Sequence, residues 1–146
     1  MNNTKKKKII GYTTGVFDLF HIGHVRLLKK AKSLCDKLIV GVSTDALVKK
    51  YKNKKPIIPY LERLEVIKSL KYVDFVVTQN SLNKFNSLKK LKYDIIFVGD
   101  DWYASKKWKN FDKKFKELGV KIVYLPYTKR TSSTKITKIL NQFRIR

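Results

Sequence analysis

Ile9-Ile10-Gly11-Tyr12-Thr13-Thr14-Gly15-Val16-Phe17-Asp18-Leu19-Phe20-His21-Ile22-Gly23-His24 changes its structural period once, and that change sets the fold. Ile9 to Thr14 is apolar and β-branched, as a buried strand requires. Gly15 breaks the run. From Ile22 to Cys35, Val25, Leu28, Ala31 and Cys35 recur on one helical face, with Leu27 and Leu34 beside it. Strand, tight turn and helix make one βα unit.

The same unit repeats outward along the chain. Leu38-Ile39-Val40-Gly41-Val42 reads as a second buried strand, and Thr44-Asp45 can cap a brief helix that runs into a lysine-rich loop, Lys49 to Lys55, bounded by Pro56 and Pro59. Leu61 to Leu70 reads as a helix with Leu61, Leu64 and Ile67 inward, and Val73 to Val77 as a strand. Ser81 caps a helix carrying Leu82, Phe85, Leu88 and Leu91. Ile95 to Val98 is a strand ended by Gly99. Phe111, Phe115 and Leu118 mark a helix stopped by Gly119, and Val120 to Leu125 is the last strand. A final helix begins near Ser133, with Ile136, Ile139, Leu140 and Phe143 inward. Strands and helices alternate without hairpin signals. The pattern predicts an α/β fold: a doubly wound, Rossmann-like, five-stranded parallel sheet with helices on both faces.

At 146 residues the chain is expected to form one domain, residues 9–146, behind a basic tail of residues 1–8. No apolar run approaches the ~20 residues that span a bilayer, and no secretory signal pattern is present. Cys35 stands alone and cannot form an internal disulfide, which fits a reducing cytoplasm. The net charge of +23 rests on 29 lysines and only 5 arginines. It points to a polyanionic partner, whether nucleic acid, an anionic membrane or phosphorylated small molecules, or to lysines on solvated faces. The scarcity of arginine, the residue favoured for base and phosphate forks, weighs against nucleic acid.

Ligands of doubly wound sheets bind at the carboxyl ends of the strands. The unusual residues fall there: Gly15 to His24 after the first strand, Gly99-Asp100-Asp101-Trp102 after the fourth, Thr128 to Thr134 after the fifth. His21 and His24 are the only histidines and share the first turn of a helix. Gly23 between them lets a ligand approach the backbone, and the helix start adds free N–H groups. Such a turn can hold a triphosphate and stabilise charge on a transferring phosphorus. No Gly-x-x-x-x-Gly-Lys-Ser/Thr loop is present, which excludes a P-loop enzyme. Asp18 either fixes the turn or reaches a metal or ribose. Arg63, on the helix side opposite Leu64 and Ile67, is expected to be free for an anion. A carboxylate at Asp100 or Asp101 suits a cytosine amino group. Trp102 either floors a pocket or packs, and Ser132, Ser133 and Thr134 either bind a second anion or cap the last helix.

The decapeptide Gly15 to His24 resembles the first motif of the cytidylyltransferase family, within the nucleotidyltransferase superfamily that carries the HxGH signature. Glu62-Arg63 with Lys71-Tyr72-Val73-Asp74, then Gly99-Asp100-Asp101-Trp102, then Thr131-Ser132-Ser133-Thr134 resemble its later motifs in order. The resemblance runs over about residues 9 to 140 and implies the strand order 3-2-1-4-5. It also implies transfer of CMP from CTP, with Mg²⁺, to a small phosphorylated alcohol, glycerol 3-phosphate being favoured by Gly99 to Trp102. His21, His24, Lys52 and Arg63 would be catalytic. Gly15, Val16, Phe17, Asp18, Ile22, Gly23, Gly99, Asp100 and the segment Tyr127, Thr128, Lys129, Arg130, Thr131, Ser132, Ser133 and Thr134 would hold the nucleotide. Lys52, Lys54, Asp101 and Trp102 would hold the substrate. A cytoplasmic homodimer is implied, with the Leu61 to Leu70 helix supplying contacts. The alternatives are choline or ethanolamine phosphate as acceptor, an adenylyltransferase of the same superfamily acting on phosphopantetheine, flavin or nicotinamide nucleotides, and a non-catalytic nucleotide- or RNA-binding relative. Three positions depart from the family pattern: Tyr127 where an arginine is usual, Arg130 in place of a glycine, and Lys71 in place of an arginine.

Overall fold

A computed structural model describes residues 6–99, 106–126 and 131–144. Eleven elements follow in order: β1 (Ile10–Gly15), α1 (Ile22–Ser33), β2 (Lys37–Ser43), α2 (Asp45–Lys52), α3 (Tyr60–Lys68), β3 (Phe75–Gln79), α4 (Lys84–Leu91), β4 (Ile95–Gly99), α5 (Lys106–Glu117), β5 (Lys121–Leu125) and α6 (Ser133–Arg144). The five strands form one sheet in the order β3-β2-β1-β4-β5, and every pairing is parallel. The expected α/β architecture is therefore the observed one. The order reverses between β1 and β4, which places the ligand crevice above Gly15 and Gly99.

Each face of the sheet carries its own core. Leu28 and Ala31 of α1 and Ile67 of α3 pack with Leu38, Val40, Val42 and Phe97 on one face. Tyr12, Tyr93, Ile96, Trp108 and Phe115 pack on the other, with Phe85 and Leu88 of α4 against them. Gly11 lets the chain just past α1 pack against the sheet. A Cβ there would stand 2.6 Å from the Phe97 ring and 2.7 Å from Cys35 Sγ.

Three aspartates set the parallel register at the amino ends of the strands. Asp36 accepts from the Ile9 amide at 2.6 Å, Asp74 from Leu38 at 2.8 Å and Asp94 from Ile10 at 2.9 Å. In each case the aspartate precedes a strand and binds the chain beside it. This gives the Lys71 to Asp74 motif a structural meaning. Lys32 of α1 completes it with an ion pair to Asp74 at 2.7 Å.

The structure corrects several details. The lysine-rich loop starts later than expected, because α2 continues to Lys52 and ends at Asn53 with φ 52°, a left-handed cap. β3 begins at Phe75, two residues late, since Val73 and Asp74 form the turn that binds Leu38. The cap of α4 is Asn83, whose side chain accepts from Phe85 and Asn86, and Ser81 lies outside the helix. Leu61 points outward at 72% exposure, because α3 buries Arg63 and Ile67 instead. On α6, Ile139, Leu140 and Phe143 face solvent. Ser133 at its start donates to the Asp18 carbonyl, and helical periodicity locates a stripe without saying which side is covered.

Candidate active site

The turn after β1 is tightly wound. Phe17 and Leu19 both adopt left-handed backbone, φ 55° and 49°, a conformation that costs a non-glycine residue about 1–2 kcal/mol. The buried Phe17 ring lies over Gly15, where a Cβ would stand 2.9 Å from it. The turn leads into a reciprocal cap made by the two histidines. His21 is the N-cap of α1, and its Nδ1 accepts from the Gly23 amide at 3.0 Å. His24 Nδ1 accepts from the His21 amide at 3.1 Å. Their rings lie 3.9 Å apart, with Phe20 stacked on His24.

These bonds decide the chemistry of both imidazoles. A ring nitrogen that accepts carries no proton, so each neutral ring holds its hydrogen on Nε2. Burial lowers the pKa of His21. Burial and the neighbouring His21 push His24 down to about 4, against a smaller opposing pull from Asp18. Near neutral pH the site therefore presents two Nε2–H donors beside a helix N-terminus.

A second cluster supports this turn from below. The Asp18 carboxylate accepts from the amides of Ile57 and Ile58, both at 2.9 Å. Of the two readings of Asp18, the structure shows the turn-fixing one. Arg63 is corrected outright: it is 1% exposed and its guanidinium is already engaged. Nε donates to the Ile58 carbonyl, one terminal nitrogen to the Val16 and Ser43 carbonyls, and the other to Asp45 at 2.6 Å. It is a clamp on three segments and is not free for an anion.

A cavity of about 300 Å³ opens above the sheet at the β1–β4 crevice. It brings together Gly15, Val16, Phe17, Asp18, His21, Gly23, His24, Lys52, Lys54, Gly99, Ser133 and Thr134 from the expected set. Ser133 Oγ donates to the Asp18 carbonyl, which seats the start of α6 against the histidine turn. Ser132 caps α6, its Oγ accepting from the Lys135 amide at 3.1 Å. Ile22 is exposed at 47%, and neither it nor Thr131 lines the cavity. Asp100, Asp101, Trp102, Tyr127, Thr128, Lys129 and Arg130 lie outside the described residues.

A second cavity of about 260 Å³ adjoins the first and shares Thr14, Gly15, Val16, Leu27, Lys52 and Gly99 with it. Sequence reading missed three of its polar residues, Lys84, Ser43 and Gln79. Lys84, 9% exposed, donates to Thr14 Oγ1 at 2.6 Å, where the cavities meet. Ser43 and Gln79 are buried and hydrogen-bonded to each other at 2.7 Å. Nothing marks Lys84 among 29 lysines, and its contact with Thr14 spans 70 residues of chain.

Among the described residues no group of three or more His, Cys, Asp or Glu could hold a metal ion. Both oxygens of Asp18 are occupied by amides. The described side chains therefore do not form a cage for Mg²⁺. No described helix is long and apolar enough to cross a membrane.

A turn of two donor imidazoles at the switch point of a 3-2-1-4-5 sheet defines a nucleotidyltransferase. The family model described as cytidylyltransferase-like matches residues 12–139, and the chain belongs to that family. A FAD synthase of Thermococcus sibiricus is 39% identical over 140 residues, 95% of each chain. A glycerol-3-phosphate cytidylyltransferase of Bacillus spizizenii is 39% identical over 133 residues, 90% of this chain and 95% of that one. Among solved structures, a lipopolysaccharide core biosynthesis protein from Thermoplasma volcanium superposes with TM-score 0.69 at 31% identity, over 86% of this chain and 100% of that one. Further FAD synthases match at 30–37% identity over nearly the whole chain. This overturns the expectation of CMP transfer to glycerol 3-phosphate. The relatives favour the adenylyl alternative.

Proposed function

We propose that this chain is an adenylyltransferase that moves AMP from ATP onto the phosphate of flavin mononucleotide, forming FAD and pyrophosphate. The observation that carries the reading is the pair of neutral Nε2–H donors at the start of α1, lining one cavity with the start of α6. A triphosphate laid between the two helix starts meets Lys52 and Lys54 along its length. An oxygen of the acceptor phosphate then attacks the α-phosphorus. The new bond is oxygen to α-phosphorus, the broken one runs from the α-phosphorus to the bridging oxygen, and pyrophosphate leaves with that electron pair. Such a transfer needs positioning and charge stabilisation, and no protein nucleophile. Lys84, at the junction of the cavities, places positive charge where the acceptor phosphate must stand. Mg²⁺ would enter on the nucleotide's phosphates, as it commonly does. The choice of ATP and flavin rests on the FAD synthase relatives.

The test is pyrophosphate release with Mg²⁺ and each pairing of ATP or CTP with flavin mononucleotide or glycerol 3-phosphate, with FAD followed by chromatography. ATP with flavin mononucleotide should give both products. Turnover confined to CTP and glycerol 3-phosphate would overturn the reading. A homodimer is also proposed, through the exposed Leu61 and Val66 of α3 and Phe75 of the edge strand β3. Light scattering that finds only monomer at working concentration would exclude it.

A further inference from the structure

We infer that the second cavity is the chamber for the acceptor's ring, and that the Gln79 side-chain amide donates to a carbonyl or ring nitrogen on that ring. The inference rests on the adenylyltransferase reading and names a subsite within it. Gln79 ends β3 and is 7% exposed. Its Oε1 accepts from Ser43 Oγ at 2.7 Å. Its Nε2 carries two hydrogens, and no described residue accepts either. No fully buried side-chain nitrogen or oxygen among the described residues lacks a partner, so this nitrogen reaches open space. Gln79 lines both this cavity and a smaller one of about 250 Å³ that also meets Lys84, and we take its donors to face the former, where the aromatic walls stand. A buried amide held by its oxygen, with its donors facing a void, is built to meet an acceptor group.

The rest of the chamber fits a flat heteroaromatic ring. Trp108 and Phe111 form one wall, their rings 5.5 Å apart. Tyr51 lines the same cavity, next to Ser43, the residue that holds Gln79. Aromatic walls and one polar reader suit a planar ring that bears carbonyls, and give little to a three-carbon alcohol. The shared wall at Thr14 and Gly15 lets a phosphate on that ring reach the first cavity.

Binding of flavin mononucleotide is measured by quenching of its fluorescence, in protein saturated with a non-hydrolysable ATP analogue. Gln79→Leu should weaken flavin binding about five- to tenfold, the size of one lost hydrogen bond, with the ATP analogue bound as before. Tyr51→Ala, at a partly exposed position that the fold tolerates, should weaken flavin binding in the same selective way. Wild-type flavin affinity in both folded variants, or equal loss of flavin and ATP analogue, overturns the inference. An enzyme that makes FAD yet shows either result keeps the adenylyltransferase reading and loses the chamber. A protein that binds flavin through Gln79 but releases no pyrophosphate with it keeps the chamber and loses the reaction.

Discussion

Protonating Nδ1 of His21 or His24 breaks a hydrogen bond of the α1 cap, so these rings couple pH to folding. The folded pKa of His24, about 4, lies below the ordinary value of 6.5, so the folded state binds fewer protons between them. That contribution to stability is full above pH 6.5 and is lost as pH falls toward 4. Thermal melts should show this loss, and a His24→Asn variant should show less of it. His21→Asn separates the two jobs of its ring. Asparagine is a good N-cap, so α1 should keep its stability, while the Nε2 donor is gone and kcat should drop about 10²–10³-fold. Near-normal turnover in a folded His21→Asn enzyme would refute the donor role. Arg63 is the residue whose loss should damage the fold most. Arg63→Lys cannot reproduce the fork to Val16, Ser43, Ile58 and Asp45, and Arg63→Ala leaves three carbonyls and one Asp45 oxygen without their donor. Urea denaturation should show Arg63→Ala destabilised by about 3–5 kcal/mol, and a loss below 1 kcal/mol would count against the clamp.

At the scale of elements, strand starts depend on aspartates. Asp74 illustrates the balance: burial alone would raise its pKa, but hydrogen bonds from Lys32 and Leu38, with Lys32 and Lys37 charges, hold it below the usual carboxylate range. Asp74→Ala should loosen the β2–β3 edge, and hydrogen exchange should show faster exchange at Leu38 than at β4 amides. Equal protection in the variant and the parent would remove the role. Most elements were legible in sequence because their signals are local: β-branched runs for β2 and β4, Thr44 as cap of α2, Gly119 after α5. The histidine turn was legible for the same reason. What escaped notice depends on distant chain. Arg63 reads as a charge free for an anion until Val16, 47 residues away, accepts from it. Gln79 lies past the strand expected at Val73 to Val77 and in no motif, and its role comes from Ser43, 36 residues away, which is buried with it. The outward side of α6 is set by what it docks against, which no periodicity records.

Across the whole molecule, acids are few and most of those described have structural work. Of 11 Asp and Glu residues, Asp36, Asp74 and Asp94 bind strand starts, and Asp18 and Asp45 bind the turns around the cavity. The remaining positive charge, +23 overall, repels itself. Raising ionic strength from about 0.02 to about 0.2 M shortens the screening length from roughly 20 Å to under 10 Å. The melting temperature should rise over that range, and a flat or falling response would show that the lysines are too dispersed to matter.

The strap at residues 57–58 is gripped from two directions, Asp18 holding its amides and Arg63 one of its carbonyls. The grips belong to the β1 turn and to α3, so the strap is not a cassette that a relative could lend to this chain. Exchanging the lysine loop without Asp18, Asp45 and Arg63 would leave stranded partners on both sides. Divergence of acceptor preference on this scaffold is therefore expected to proceed by point changes in the chamber walls, with the strap inherited whole.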